Sequence, residues 1–397
     1  MWEKDINVNE VKEIRVKTTT YLGAGAIQKF NDIAKELAYK GLDKVVILTG
    51  KSAYKKTGAW DVVSKALEEN NIEYALFDKI TPNPQHLDVD EAAKLGKEIS
   101  AKAVIGIGGG SPIDSAKSVA ILLKYPEKTA AELYELKFVP EEAAPVIAIN
   151  LTHGTGTEVD RFAVVSIPEK EYKPAIAYDC IYPMYAIDDP ALMTSLPKFQ
   201  TMSVSVDAIN HVFEAATSLA ANPFSILCAK ETVRLVHEYL PKALEDGKDI
   251  EARYYLSYAS MIAGTSFDNG LLHFTHALEH PLSAIKTDLT HGYGLGILLP
   301  AVVKQCFDAK KETIEEIFEP IFSGTKDLNA EKAAELTRDW LKSVGLTQTL
   351  KDEGFTEGDL DKLTDLAFTT PSLDGLLGCA PIEATKEVVR NIYKESL

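Results

Sequence analysis

The chain has 397 residues, and 46% of them are hydrophobic, so it is long enough to bury a large core and to form two domains. Acidic residues outnumber Lys and Arg by 59 to 42, and the resulting net charge of −17 would repel nucleic acid and anionic membrane surfaces. The first residues lack the apolar segment of a secretory signal, and no apolar run reaches the roughly 18 residues of a membrane span. We therefore expect a cytoplasmic protein with no nucleic-acid or membrane partner.

In the first half, short β-branched runs alternate with amphipathic segments. This pattern predicts βα units on a parallel sheet. The predicted strands are 44–50, 73–80, 103–110 and 144–150, and the predicted helices between them are 59–71, 86–100 and 111–124. Two apolar runs within 159–189, separated by the charged residues 169–171, predict a hairpin beside the sheet.

A glycine-rich turn follows the strand "AVIGIG". Gly108, Gly109 and Gly110 lead through Ser111 and Pro112 into a helical pattern. Glycines let the backbone approach a ligand closely, and the start of a helix favours an anion such as pyrophosphate. The alternative is a tight turn without a ligand. The sequence matches neither GxGxxG nor GxxxxGK[ST], so it predicts a dinucleotide site of another kind.

A second polar turn, "NLTHGTGTE", follows the next strand and carries Thr152 and Thr155. Open parallel sheets bind ligands at the carboxyl ends of their strands, so both turns are expected at one edge.

After Pro190 the periodicity becomes helical, and no convincing strand follows. Helices are predicted at 205–217, 225–245, 252–267 and 330–344. The predicted fold is an α/β N-terminal domain with a parallel nucleotide-binding sheet, residues 1–195, and an all-helical C-terminal domain, residues 196–397.

Several histidines and one aspartate recur at helical spacing in this second half. Asp207 and His211 are four residues apart, His276 and His280 repeat that spacing, and His291 follows. One carboxylate with imidazoles suits Fe²⁺ or Zn²⁺, although each histidine taken alone is more often a packing residue. His273 is a further candidate ligand. The four cysteines form no CxxC pair and are expected to be reduced and mostly buried.

The segments "GGGSPID", "GTGTE", "VDAINHVFEA" and "HALEHPLSA", with "HG" after the last, closely resemble the iron-containing (group III) alcohol dehydrogenases over nearly the whole chain. Glycerol dehydrogenase and dehydroquinate synthase are more distant relatives with the same architecture. The resemblance implies a cleft between two domains that holds NAD(P) and a divalent metal. It also implies hydride transfer between the nicotinamide and a small alcohol or aldehyde.

The resemblance assigns individual roles. The implied metal ligands are Asp207, His211, His276 and His291, and His280 matches the histidine near the nicotinamide, which could carry the hydroxyl proton towards solvent. The implied cofactor-binding residues are Gly108, Gly109, Gly110, Ser111, Asp114, Thr152, Thr155 and Lys173.

This chain departs from the family pattern at three places. His153 replaces a small residue, Val204-Ser205 replaces a Thr-Gly pair, and the interval from His276 to His291 is one residue longer than usual. These departures affect the expected loop geometry and substrate fit, not the ligand set.

The cofactor preference is predicted from the turn after the first βα strand. Many relatives that prefer NAD carry an aspartate at the position of Gly50, and an acidic residue there repels a 2′-phosphate. Gly50 leaves room, and Lys51 and Ser52 could supply a charge and a hydroxyl, so NADP(H) is expected to be favoured over NAD(H). The alternative is that Gly50 only makes the turn.

Three other readings stay open. The chain could be a lyase or cyclase of the dehydroquinate-synthase type, an enzyme oxidising polyols like glycerol dehydrogenase, or a nucleotide-binding regulator without catalysis. The intact set of metal-ligand candidates argues against the regulator. The resemblance further implies a homo-oligomer associating through the N-terminal region, where "EIRVKTTTYLGAG" offers an alternating strand.

Overall fold

A computed structural model describes residues 2–6 and 8–397. The strands are β1 Thr19–Leu22, β2 Lys44–Thr49, β3 Glu73–Phe77, β4 Ala103–Gly108, β5 Val146–Asn150, β6 Phe162–Val164, β7 Ala175–Ala177 and β8 Tyr185–Asp188. The helices of the first half are α1 Phe30–Tyr39, α2 Ala53–Lys56, α3 Ala59–Glu69, α4 His86–Glu98, α5 Gly110–Lys124 and α6 Ala130–Tyr134. Each predicted strand and helix of this half is therefore present. β2, β3 and β4 end one to three residues earlier than predicted, and β5 begins two residues later than predicted.

Six strands form one parallel sheet in the order β1-β8-β5-β4-β2-β3. The strand order reverses between β2 and β4, because β2 leads outwards to β3 while β4 lies on its other side. The carboxyl ends of strands beside such a reversal form a ligand-binding crevice in open α/β folds. The turns after β2, β4 and β5 all open at this edge.

The sheet is buried on both faces, as a parallel sheet requires. Alternate residues of β2 face opposite sides, with Val46 and Leu48 in one apolar cluster and Val45 and Ile47 in the other. The predicted hairpin is confirmed, since β6 and β7 pair antiparallel in a separate two-stranded sheet.

From residue 198 onwards the described chain is helical. The helices are α7 Lys198–Thr217, α8 Pro223–Glu245, α9 Ile250–Gly270, α10 Phe274–Ile285, α11 His291–Cys306, α12 Lys311–Ile317, α13 Glu319–Phe322, α14 Ala330–Ser343, α15 Leu360–Thr369, α16 Leu373–Leu377 and α17 Lys386–Glu395. They enclose a third and larger apolar core. The predicted fold class, a parallel α/β region followed by an all-helical region, is confirmed. Nowhere in the described chain does a helix combine the length and apolar character needed to cross a bilayer.

Candidate metal and cofactor site

A cavity of about 1130 Å³ lies between the carboxyl edge of the sheet and the helical region. Almost all of the predicted site residues line it. They are Gly50, Gly108, Gly109, Gly110, Ser111, Asp114, Thr152, Thr155, Lys173, Asp207, His211, His276, His280 and His291. The structure thus brings together residues that are up to 241 positions apart in the chain, counted from Gly50 to His291.

The glycine turn after β4 is a cradle that side chains would fill. A Cβ on Gly109 would lie 2.8 Å from Thr152, and a Cβ on Gly110 would lie 2.9 Å from Thr155. Gly109 caps α5 without a side-chain hydrogen bond, so the first N–H groups of this helix are not satisfied by a side-chain cap. Close backbone approach and free helical N–H groups fit a dinucleotide pyrophosphate.

Asp114 has a supporting position beside this cradle. Its side chain is half-buried, and its carboxylate accepts hydrogen bonds from Thr157 Oγ1 at 2.6 Å and from the N–H of Val164 at 2.9 Å. Burial raises the pKa of Asp114, against the nearby charge of Lys117 and these hydrogen bonds. Asp114 therefore ties α5 to the second polar turn and to the hairpin.

The turn after β2 contributes one of its three predicted residues to the cavity wall. Gly50 lines the cavity, whereas Lys51 and Ser52 are exposed and do not line it. A Cβ on Gly50 would lie 3.4 Å from the carbonyl oxygen of Ile80, which is an ordinary contact. A larger side chain can therefore replace Gly50 without displacing the backbone.

The metal-ligand candidates converge from three helices. Asp207, His276 and His291 each present a ligand atom, and these atoms lie within 4.8 Å of one another. His211 is outside this group of three, but its Nε2 lies 3.5 Å from Asp207 Oδ1, which is also 3.7 Å from His276 Nε2. Asp207 Oδ1 and His276 Nε2 are buried and have no hydrogen-bond partner in the described chain. A cation between these atoms would satisfy them, so the donor set fits Fe²⁺ or Zn²⁺.

Two buried carboxylates behind the histidines were missed by the sequence analysis. Glu214 accepts a hydrogen bond from His276 Nδ1, and Glu279 accepts one from His291 Nδ1. Both carboxylates are completely buried. A carboxylate on Nδ1 fixes the tautomer that leaves Nε2 free for a metal. Glu214 stands seven residues after Asp207, hence on the same helical face, and this spacing could have revealed it.

The charges around Glu214 and His276 favour an ionised Glu214 and a positively charged partner beside it. Burial opposes ionisation of Glu214, but the charge of His276 and its hydrogen bond outweigh burial and lower the pKa of Glu214 to about 2. Burial likewise opposes a charged His276, yet Glu214 and Asp207 raise the pKa of His276 to about 9. The surroundings of His276 therefore stabilise positive charge, which is also what a bound cation requires.

Lys173 and His280 both lie close to His291. Lys173 Nζ donates hydrogen bonds to Glu279 at 3.2 Å and to Ser283 at 2.8 Å. The rings of His280 and His291 are 5.6 Å apart between centroids, and His280 Nδ1 is buried without a hydrogen-bond partner in the described residues. Burial, then the charges of Lys173 and His291, lower the pKa of His280 well below its ordinary value. His280 is therefore a neutral ring facing the cavity.

Other candidates have packing roles. His273, considered as a further ligand, is instead bonded through Nε2 to Thr217 at 2.9 Å and lies outside the group of converging ligand atoms. His86 contacts Glu169 on the hairpin side of the sheet. The cysteines are free thiols; Cys228 and Cys306 are buried, while Cys180 and Cys379 are only half-buried.

Comparison with known proteins places both halves of the chain in one family. The family described as iron-containing alcohol dehydrogenase matches residues 17–190, and its C-terminal family matches residues 201–397. The chain is 61% identical to a long-chain primary alcohol dehydrogenase of Thermoanaerobacter ethanolicus, with 100% of both chains covered. It is 30% identical to an NADPH-dependent butanol dehydrogenase of Clostridium saccharobutylicum, over 94% of this chain and 95% of that one.

A solved structure gives the same result. The crystal structure of NADH-dependent butanol dehydrogenase A from Thermotoga maritima matches with a TM-score of 0.89 at 31% identity, covering 98% of each chain. Iron and a nicotinamide nucleotide are the cofactors that this family implies. These matches favour the oxidoreductase over the lyase and the regulator. The chain belongs to the iron-containing alcohol dehydrogenase family and is an oxidoreductase of alcohols and aldehydes.

Proposed function

We propose that each chain binds one divalent metal, Fe²⁺ in preference to Zn²⁺, through Asp207, His211, His276 and His291. The observation that carries this proposal is the pair of buried, unpartnered ligand atoms, Asp207 Oδ1 and His276 Nε2, inside a group of donors less than 5 Å across. An unpartnered buried carboxylate oxygen is costly unless a cation or a donor meets it.

When bound, the metal supplies Lewis acidity to the substrate oxygen, and the nicotinamide supplies or accepts the hydride. The protein's own contribution is to position these groups and to handle the proton. Glu214 and Glu279 orient two of the histidines, and Lys173 neutralises Glu279. His280, a neutral ring in the cavity wall, is the proposed catalytic residue that passes the hydroxyl proton towards solvent.

We place the nicotinamide nucleotide along the sheet edge, with its pyrophosphate on the turn of Gly108, Gly109, Gly110 and Ser111. Gly109 and Gly110 support this because any side chain there would collide with Thr152 and Thr155. NADP(H) is the favoured cofactor in this proposal, because the wall at Gly50 carries no acidic side chain to repel a 2′-phosphate. Lys51 is exposed beside Gly50, and in this proposal its charge attracts that phosphate.

The proposed substrates are small aliphatic alcohols and the corresponding aldehydes. Beyond the histidines, the cavity wall is largely apolar, with Phe162, Phe267, Leu271 and Leu272 among its residues. Such a wall binds an alkyl chain through burial of apolar surface. The Thermoanaerobacter relative is named a long-chain primary alcohol dehydrogenase, so the aldehydes and alcohols tested should also include longer chains.

Three further parts of the proposal concern the whole molecule. The domain boundary is proposed at 195/196, just before α7 begins at Lys198. The proposed assembly is a homodimer or a larger homo-oligomer, supported by Val11 and Val16, which are exposed in the segment before β1. The proposed compartment is the cytoplasm, which keeps thiols reduced, in agreement with four free cysteines.

The experiment is one activity screen combined with metal analysis. The chain is expressed at low oxygen, its iron and zinc contents are measured, and turnover is followed with NADPH and NADH across a series of aldehydes and alcohols. We expect one metal per chain and faster turnover with NADPH. A fully active protein without metal, or higher catalytic efficiency with NADH than with NADPH, would refute the corresponding part of the proposal.

A further inference from the structure

His153 occupies an unusual position in the second polar turn. It follows Thr152, which lines the cofactor cavity, yet its own side chain is 1% exposed and points into the helical region. There its Nε2 lies 2.8 Å from Arg253 Nη1, and its Nδ1 lies 3.4 Å from Ser205 Oγ. His153 and Ser205, two of the departures from the family pattern, are therefore in contact with each other.

Arg253, on α9, is fully buried, and the hydrogen-bond partners of its guanidinium in the described chain include no carboxylate. Its guanidinium donates to the hydroxyl of Thr201 at 2.8 Å and to the carbonyl of Gly247 at 3.0 Å, besides its bond to His153. A buried guanidinium is tolerated only if its donors are satisfied. His153 therefore supplies one of the few side-chain acceptors on which Arg253 depends.

The direction of these hydrogen bonds follows from the chemistry of arginine. Arginine only donates, so His153 Nε2 must be the unprotonated acceptor and Nδ1 must carry the hydrogen. Nδ1–H then donates to Ser205 Oγ. One neutral imidazole thus connects α9 to α7 through the polar turn, and Ser205 lies two residues before Asp207 in α7.

The second polar turn is also in close contact with α7 and α9. A Cβ on Gly154 would lie 2.2 Å from the carbonyl oxygen of Val204 in α7. A Cβ on Gly156 would lie 2.3 Å from Gly264 in α9. The position of Thr152 beside the glycine cradle therefore depends on how this turn packs against the two helices.

We propose that His153 and Arg253 form a positioning pair that seats the Thr152–Thr155 turn on the helix carrying Asp207, and thereby sets the affinity for the nicotinamide nucleotide. Neither residue touches the cofactor or the metal in this proposal. The pair holds the turn that forms one wall of the pyrophosphate cradle. The proposal rests on the proposed cofactor site.

The test is direct binding of NADPH, followed by nucleotide fluorescence, to the wild type and to the variants His153→Ala and His153→Gln. His153→Ala removes the acceptor for Arg253 and should weaken binding by about tenfold. Gln offers Arg253 a carbonyl oxygen at about the same reach, so His153→Gln should restore most of the affinity. His237→Ala, on α8 away from the cavity, is the matched control and should bind like the wild type.

Two further measurements separate positioning from general loss of structure. The metal content should stay at the wild-type level in all variants, and the KM for NADPH should rise in His153→Ala while kcat changes little. In a His153→Ala/Arg253→Met double variant, binding should weaken no further than in His153→Ala, because both changes break one link.

The possible failures are distinguishable. If the wild type binds neither NADPH nor NADH, the proposed cofactor site is wrong, and this proposal fails with it. If the wild type binds NADPH and His153→Ala binds it equally well, only the role of the pair is wrong. A His153→Gln variant that binds NADPH as weakly as His153→Ala would also overturn the proposal, because a restored acceptor for Arg253 would then not restore the affinity.

Discussion

The carboxylate behind His276 allows a sharp test of the metal site. Glu214 Oε1 accepts the backbone N–H groups of Thr275 at 2.7 Å and His273 at 3.1 Å, and Oε2 accepts His276 Nδ1. In Glu214→Gln, the amide oxygen can keep the backbone bonds while the NH₂ group meets Nδ1. Because NH₂ only donates, Nδ1 must become the acceptor, and the ring proton moves to Nε2. Nε2 is the atom that faces Asp207, so His276 would no longer offer a lone pair there.

The loss of metal affinity depends on which of two orientations the new amide adopts in Glu214→Gln. Turning the amide the other way would place NH₂ against two backbone donors, and each unsatisfied buried donor costs about 1–3 kcal/mol. The tautomer that blocks Nε2 is therefore preferred in the absence of metal. Changes to such outer partners of metal-binding histidines typically lower metal affinity by about 10–100-fold, which corresponds to roughly 1.4–2.8 kcal/mol.

The assay is competition for Zn²⁺ or anaerobic Fe²⁺ against a chromogenic chelator, with thermal unfolding of the metal-free proteins measured in parallel. Glu214→Gln should bind metal 10–100-fold more weakly while unfolding close to the wild type. Glu238→Gln, on an exposed part of α8, is the matched control and should change neither quantity. A Glu214→Gln protein that binds metal as tightly as the wild type would refute the tautomer argument.

The remaining predictions concern four other positions and the assembly. His291→Ala should lose metal and activity while circular dichroism stays unchanged, and a fully active metal-free variant would exclude His291 as a ligand. His280→Ala should keep its metal and lose turnover; loss of metal instead would make His280 the ligand. Gly50→Asp should shift kcat/KM from NADPH towards NADH by about 10–100-fold, and an unchanged ratio would refute this use of the turn. Sedimentation at micromolar concentration should show a dimer or larger, and a pure monomer would contradict it. Burial, then the charge of Arg253, lowers the pKa of His153 to about 3; since the unfolded residue binds a proton near pH 6.5, the wild type should lose stability as pH falls from about 6.5 towards 3. His153→Gln should flatten that decline by up to about 1.4 kcal/mol per pH unit in urea titrations, and identical slopes would show that His153 does not titrate in this way.

The sheet was predictable from sequence because its strands are buried on both faces. Continuous β-branched runs such as 44–49 occur between amphipathic segments, and this alternation allows few other folds. The edge strand β1 is harder to predict, since only one of its sides is paired and its residues are half exposed. Its four residues carry a weak hydrophobic pattern, and this strand was expected only as part of the oligomer contact.

Helix α11 shows where local patterns fail. Its segment "HGYGLGILLP" contains three glycines and a proline, which lower helix propensity, and it was not among the predicted helices. The structure explains the glycines by packing. A Cβ on Gly292 would lie 2.0 Å from the carbonyl oxygen of Ser203, and one on Gly296 would lie 2.4 Å from Leu346. Tertiary contact, which no local pattern encodes, thus requires small residues here and brings α11, with His291, close to Asp207.

The ligand candidates and their supporting residues differ in how visible they are in the sequence. Histidines at i, i+4 are rare enough to attract attention, whereas a buried glutamate looks like any other acidic residue in a helix. Glu214 and Glu279 become functional only because folding places each of them against an imidazole and removes both from water. The same reasoning applies to His153, which appeared from the sequence as an isolated departure in a loop. In the fold it contacts Ser205, from the second departure, and a buried arginine 100 residues away. Departures that meet in space can compensate each other, so we expect the contacts of His153 with Ser205 and Arg253 to hold the altered turn in place.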